Sequence, residues 1–283
     1  MNRKYLFLLL FTCLLGSAST YAQQSILYKQ IGDTKLYMEM YHPESMDSAK
    51  KYPVIVFYFG GGWNSGSISQ FEPHAKYFTQ RGIVCVLVDY RVRDRQQTTP
   101  FESLKDAKTS IRFLREHAAK FLIDTAKIVA AGGSAGGQLA AATALIDDYN
   151  ENSDNKLISC IPNALVLYNP VIDNGPGGYG YNKIGEAYKN FSPLHNIREG
   201  MPPTIIFLGT NDQHIPVETA KYFQKAMEKV KSQCVLKLYE GQGHGFFNYK
   251  NSDNYKKTVF ETDEFLQSLG YLKKHPSSPT PLP

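Results

Sequence analysis

Six short runs of nearly unbroken apolar character recur along the chain, at residues 53–59 (PVIVFYF), 83–90 (IVCVLVDY), 127–131 (KIVAA), 164–169 (ALVLYN), 204–208 (TIIFL) and 235–239 (VLKLY). A strand with one face in water alternates apolar and polar residues, whereas runs without alternation belong to strands covered on both faces. Helical spacing lies between and after these runs. Leu104, Ala107, Ile111, Leu114 and Ala118 recur at steps of three and four, as do Val217, Ala220, Phe223, Met227 and Val230, and Tyr255, Val259, Thr262, Leu266 and Leu269. Pro216 suits the first turn of the second of these helices. The alternation predicts an α/β fold, a three-layer sandwich around a mostly parallel central sheet. Residues 25–41 (SILYKQIGDTKLYMEMY) alternate on either side of Gly32-Asp33, a hairpin that would add an antiparallel edge.

The chain ends read differently. Arg3 and Lys4 precede an apolar run over residues 5–15, followed by small residues and Thr20-Tyr21-Ala22, the pattern of an export signal over 1–22. The run is short for a bilayer span. Cys13 lies inside it behind the bulky Phe11, a poor lipid-attachment context, so an exported, unanchored protein is the expectation. Removing those 22 of 283 residues leaves 261, enough for one large domain, and residues 275–283 (HPSSPTPLP) read as a frayed tail. There is no internal repeat and no sign of a second domain in residues 23–274. Of the 31 basic residues, Arg3 and Lys4 fall in the signal, so 29 stand against 26 acids, a net charge of +3 without basic clusters. That balance excludes nucleic acid as a partner. Cys85, Cys160 and Cys234 remain; they allow at most one disulfide, form no metal-binding pattern, and buried free thiols are expected for Cys85 and Cys234.

One stretch stands outside the regular alternation. Residues 173–193 carry Gly175, Gly177, Gly178, Gly180 and Gly185 with Tyr179, Tyr181 and Tyr188, too long and glycine-rich for a tight connection. A loop or small cap over the functional end of the sheet is expected there.

The chemistry concentrates where strands end. Gly132-Gly133-Ser134-Ala135-Gly136-Gly137 follows the strand KIVAA and precedes the small-residue run 138–144. This is GxSxG in a strand–turn–helix context: the serine takes a strained elbow, and flanking glycines let neighbouring backbone pass. The new helix start also turns N–H groups towards a developing anion. Gly60-Gly61-Gly62-Trp63 ends the strand PVIVFYF, and a glycine run there exposes main-chain donors of the kind a tetrahedral oxyanion needs. A nucleophilic serine also needs a base and an orienting carboxylate. His244, in the glycine loop Gly243-His244-Gly245 past the last strand, is the best-placed of seven histidines, with His195 and His214 as loop alternatives. Asp212 follows the strand TIIFL, and the order Ser134, Asp212, His244 suits this architecture; Asp173 is the rival acid.

With these motifs in order, GGGW at 60–63, GGSAGG at 132–137, GTND at 209–212 and GHGF at 243–246, the chain resembles the α/β-hydrolase superfamily, in its His-Gly-Gly-Gly esterase branch. Within that branch it is most similar to secreted bacterial acetyl xylan or feruloyl esterase-like proteins, from about Leu36 to Leu272. The resemblance implies Ser134 as nucleophile, His244 as base, Asp212 as its partner, the N–H groups of Gly61, Gly62 and Ala135 as oxyanion donors, and no metal or organic cofactor. Phe59 stands where that branch has its motif histidine, which puts the geometry of the glycine loop in question.

The expected partner is a small-molecule or polysaccharide ester. Export, the cap and Trp63 beside the glycine turn point to a sugar ring stacked on Trp63, Tyr179, Tyr181 and Tyr188, hence deacylation of plant polysaccharide. The same rings could instead fill the cap, which leaves a general short-chain carboxylesterase open. A serine peptidase of this fold usually carries an N-terminal propeller, for which 261 residues leave no room.

Overall fold

The computed structural model describes residues 22–274; the export segment expected over 1–22, apart from its last residue, and the tail expected over 275–283 lie outside the described residues. In chain order the elements are β1 (Ala22–Ile31), β2 (Thr34–His42), β3 (Tyr52–Tyr58), α1 (Glu72–Gln80), β4 (Val84–Val88), α2 (Arg93–Gln96), α3 (Pro100–Glu116), β5 (Ile123–Gly133), α4 (Ala135–Leu145), β6 (Ala164–Tyr168), α5 (Tyr181–Ile184), β7 (Thr204–Gly209), α6 (Val217–Lys229), β8 (Cys234–Tyr239) and α7 (Ser252–Ser268). The strands form one sheet in the order β1-β2-β4-β3-β5-β6-β7-β8. The hairpin β1–β2 and its pairing with β4 are antiparallel, and all pairings from β4 to β8 are parallel. This is the fold expected from the sequence, an α/β-hydrolase sandwich.

The unalternating strands follow from coverage on both faces. Val54, Val56 and Tyr58 of β3 belong to one core cluster with Leu104, Ile111 and Leu114 of α3, Leu139 of α4 and Phe223 of α6. Their neighbours Ile55 and Phe57 point the other way, into a second cluster with Phe78 of α1 and Val259 and Leu266 of α7. Successive side chains of a strand leave opposite faces, so from Val54 to Tyr58 each residue of β3 meets a helix layer and is buried. Helix α4 is buried at every position from Ala135 to Leu145. A helix wrapped on all sides needs no polar face, and its alanines and glycines let it lie close against the sheet.

Two features go beyond the sequence reading. Helix α1 has no simple apolar stripe because its buried face includes His74 and Thr79, polar by type. The stretch 173–193 is not one open loop: it contains α5, a 3-10 turn at Gly185–Asn190 and the start of another at Pro193–Asn196. Cys85, Cys160 and Cys234 are all buried and free. No helix among the described residues is long and apolar enough to cross a membrane.

His74 makes an acid-sensitive point in the core. Its ring packs against Phe71, Tyr168 and Tyr255, with centroids 5.0, 5.4 and 4.8 Å away. Neither ring nitrogen has a hydrogen-bond partner among the described residues. Burial pushes its pKa down from 6.5 to about 3, so the folded protein keeps the ring neutral. As pH falls through 6.5 towards 3, the unfolded chain binds a proton that the folded one refuses, and stability present at neutral pH is lost progressively. His74→Phe keeps the ring and removes the titration. The variant is expected to hold its Tm between pH 7 and pH 4.5 better than the parent, by the equivalent of about 2–3 kcal/mol. Parallel Tm–pH curves for the two proteins would contradict this.

Candidate active site

Strand β5 ends at Gly133 and α4 begins at Ala135, which leaves Ser134 as the corner between them. Its backbone has φ 54° and ψ −118°, strained for a residue with a side chain. The turn closes because glycines surround it. A Cβ on Gly136 would run into the carbonyl oxygens of Tyr58 and Phe59, and one on Gly132 would meet the carbonyl of Gly136. Gly133 is equally constrained, since a Cβ there would lie 2.5 Å from the ring of Phe247. The strained corner leaves Ser134 half-buried, lining a cleft of ≈ 520 Å³ at the C-terminal ends of the strands.

Ser134, His244 and Asp212 are brought together. His244 Nε2 lies 2.9 Å from Ser134 Oγ, and His244 Nδ1 lies 2.8 Å from Asp212 Oδ2. The Asp212 carboxylate is shielded from solvent and also accepts the N–H groups of His214 and Ile215, at 2.8 and 3.0 Å. Burial by itself would raise its pKa; the hydrogen bond from His244 and the two backbone donors outweigh that and hold the carboxyl below the usual range. An ionised Asp212 keeps the proton of His244 on Nδ1 and leaves Nε2 free to accept the serine proton. The rival acid Asp173 is elsewhere: it accepts the N–H of Gly175 and lies 3.8 Å from His195. His195 in turn sits 3.0 Å from Ser192 Oγ, within the cap. His214 does reach the cleft, with its ring perpendicular to His244 at 4.8 Å, but Asp212 engages it only through its backbone N–H.

The glycine loop after β3 lines the opposite wall. Gly61 and Gly62 have φ of 132° and 62°, backbone that favours glycine, and both border the cleft. The N–H of Gly60 is taken by Gln70 Oε1 at 2.7 Å. Ala135, as the first residue of α4, has no partner for its N–H within the helix. Carbonyls further along the loop are clamped: Lys183 Nζ donates to Gly62 O at 2.8 Å and to Asn64 Oδ1 at 3.0 Å. The N–H groups of Arg93 and Asp94 bind Trp63 O and Asn64 O at 3.0 and 2.9 Å. Phe59, in place of a histidine, holds the base of the loop by packing. Its ring stacks on Tyr90 at 4.1 Å, and the Tyr90 hydroxyl donates to Phe59 O at 2.5 Å.

The aromatic residues divide sharply, and one expectation is corrected. Trp63 is 1% exposed, enclosed by Tyr179 and Phe191, and cannot offer a face to a ligand. Closure of the cap over it, with Gly180 directly on the ring, is what buries it. Tyr181 and Tyr188 pack on each other at 6.0 Å, outside the cleft. Tyr179 alone of the four lines it. No group of three or more His, Cys, Asp or Glu residues among the described residues is arranged to hold a metal ion.

Sequence reasoning missed Asn169, Gln70 and Asn248, which also line the cleft. Asn169 follows β6 with φ 34°; its Oδ1 accepts the N–H of Gly245 at 3.0 Å and its Nδ2 lies 3.3 Å from His244 Nε2. Its place at a strand C-terminus was the signal available, since ligands of such sheets gather there. Gln70 and Asn248 have no comparable signature.

The geometry makes the elbow glycine testable. Gly136→Ala is expected to cost about 3 kcal/mol, a Tm drop of roughly 6–12 °C, because the obstructing atoms are backbone. An unchanged Tm would show that β3 can move away from the elbow.

Comparison with known proteins gives a consistent picture. A family model described as BD-FAE matches residues 38–174, and one described as the dienelactone hydrolase family matches residues 168–274. The structure of Thermogutta terrifontis esterase 2 phosphorylated by paraoxon is 41% identical, covering 89% of this chain and 96% of that one at a TM-score of 0.85. The butyrate-bound form of that esterase is 40% identical over 90% of this chain and 96% of its own, also at 0.85. Among curated proteins, a probable isoprenylcysteine alpha-carbonyl methylesterase of Arabidopsis thaliana is 27% identical over 80% of this chain, and endo-1,4-beta-xylanase B of Butyrivibrio fibrisolvens is 29% identical over 66%. The matches span 51% of the first and 31% of the second, so the chain corresponds to only part of each of these curated relatives.

Proposed function

Because the chain belongs to the α/β-hydrolase esterase family, we propose that it is an exported serine carboxylesterase that removes short acyl groups, acetyl or feruloyl, from plant polysaccharide. The observation that carries the reading is the unbroken hydrogen-bond chain from Asp212 through His244 to Ser134, open to the cleft beside Gly61 and Gly62.

The geometry supports a two-step acyl transfer. Ser134 Oγ attacks the ester carbonyl carbon while His244 Nε2 takes the hydroxyl proton, and Asp212 stabilises the imidazolium that forms. The carbonyl oxygen becomes an oxyanion within reach of the N–H groups of Gly61, Gly62 and Ala135; one such donor is typically worth about 3–4 kcal/mol in the transition state. Collapse breaks the C–O bond, the alcohol leaves with the proton held by His244, and the acyl group stays on Ser134. Water then attacks the acyl carbon with His244 again taking a proton, the bond from the acyl carbon to Ser134 Oγ breaks as His244 returns that proton to Oγ, and the carboxylic acid departs.

Several observations support the substrate class. One side of the cleft carries Ser67, Ser69, Gln70 and Asn248, side chains able to hydrogen-bond a hydroxylated alcohol. A related esterase holds butyrate, a short acid, and another relative is named for xylan hydrolysis. Export rests on the N-terminal pattern. Of the four rings expected to stack on a sugar, Tyr179 alone lines the cleft, and this favours keeping a second reading, a general short-chain carboxylesterase.

Acetate release from acetylated xylan and ferulate release from a feruloylated oligosaccharide separate the two. The proposal expects at least one of these products. Neither product, with ready hydrolysis of p-nitrophenyl acetate, would leave the general esterase, and no ester hydrolysis at all would overturn both. Asp212→Asn is expected to lower kcat by about 10³–10⁴-fold with the fold intact, because the imidazole loses its orientation and tautomer. A loss below about tenfold would remove Asp212 from the mechanism.

A further inference from the structure

We propose that Gln70 and Asn248 form a two-amide relay that sets the oxyanion loop and the base loop at a fixed spacing, which makes both positioning residues for acyl transfer. The inference rests on Ser134 being the nucleophile of the proposed esterase. Gln70 Oε1 accepts the N–H of Gly60 at 2.7 Å, and Gln70 Nε2 donates to Asn248 Oδ1 at 2.9 Å. Asn248 Nδ2 then donates to Gly245 O at 2.8 Å. The two ends of the relay fix the orientation of both amides. A backbone N–H can only donate, so the Gln70 atom facing Gly60 is oxygen; a carbonyl can only accept, so the Asn248 atom facing Gly245 is nitrogen. The atoms left in the middle are then a donor and an acceptor, and the chain closes without a mismatch.

What the relay joins gives it a role. Gly60 directly precedes Gly61, the proposed oxyanion donor, and Gly245 directly follows His244. Gln70 and Asn248 are 178 residues apart in sequence, and the link runs along the wall of the cleft itself. On its other side, the base loop is pinned by Asn169 Oδ1, which accepts the N–H of Gly245. The reaction needs the oxyanion donors and His244 Nε2 correctly placed around one carbonyl at the same moment. A misplacement of about 1 Å can cost about a hundredfold in rate. A relay that holds the two loops together should therefore act on turnover more than on substrate binding.

The test is a double-mutant cycle on p-nitrophenyl acetate hydrolysis with Gln70→Leu, Asn248→Leu and the double variant, reading kcat, KM and Tm. Each single change is expected to lower kcat by about tenfold or more with KM within about twofold, and the double variant should lose no more than the worse single. Losses that multiply in the double variant, losses confined to KM, or parental kcat in the singles would overturn the relay. Gln70→Glu guards against misfolding: it keeps an acceptor for Gly60 but sets a second acceptor against Asn248, and is expected to lose about as much kcat as Asn248→Leu. Parental kcat in Gln70→Glu would overturn the relay even if the leucine variants do not fold. Ser134→Ala separates the two readings. Hydrolysis surviving there would overturn the proposed function, whereas an inactive Ser134→Ala beside fully active Gln70 and Asn248 variants would overturn the relay alone.

Discussion

Everything at the cleft depends on one backbone-to-backbone approach. The end of β3 lies so close to the start of α4 that the carbonyls of Tyr58 and Phe59 occupy the space a side chain on Gly136 would need. That contact lets the chain reverse at Ser134 within one residue, in a conformation that costs of order 1–3 kcal/mol unless its surroundings enforce it. The enforcement is the packed sandwich. β5 is paired with β3 and β6, and α4 is buried along its whole length, so the elbow cannot relax without separating core layers. The same approach brings the glycine loop after β3 beside the serine. A Cβ on Gly60 would lie 3.3 Å from the Cβ of Ser134.

The remaining parts arrive from distant stretches of chain, and each is held by groups that do not react. β7 delivers Asp212, whose second oxygen is saturated by backbone donors, and the loop after β8 delivers His244 between Asn169 and Asn248. Lys183 reaches from the cap to the glycine loop after β3, so the cap braces one wall of the cleft. Phe59 belongs to the same logic: its ring stacks on Tyr90, and the loop keeps its place by packing.

The legible and illegible parts of this molecule differ in a physical way. Strands buried on both faces leave an unmistakable mark, and glycines required by steric exclusion at 132 and 136, two residues either side of Ser134, mark the elbow, so the fold and the Ser134 corner could be read directly, whereas His244 and Asp212 had rivals in His195, His214 and Asp173. Helix α1 was hidden because His74 and Thr79 are polar by type yet buried. The rings of the cap could be counted but not aimed: Trp63 turns inward while Tyr179 turns to the cleft, and composition is the same either way. Amide side chains such as Asn169, Gln70 and Asn248 carry neither periodicity nor charge, and their partners are set only by the folded chain.

The central claim is that Ser134, strained and half-buried at the elbow where it lines the cleft, is a nucleophile activated by His244. Treatment of the folded protein with a fluorophosphonate probe, followed by peptide mass spectrometry, tests it directly. The account predicts one covalent adduct, on Ser134, which disappears in Ser134→Ala and forms far more slowly in His244→Ala. A folded protein that takes no label at Ser134, or is labelled equally fast without His244, would contradict it.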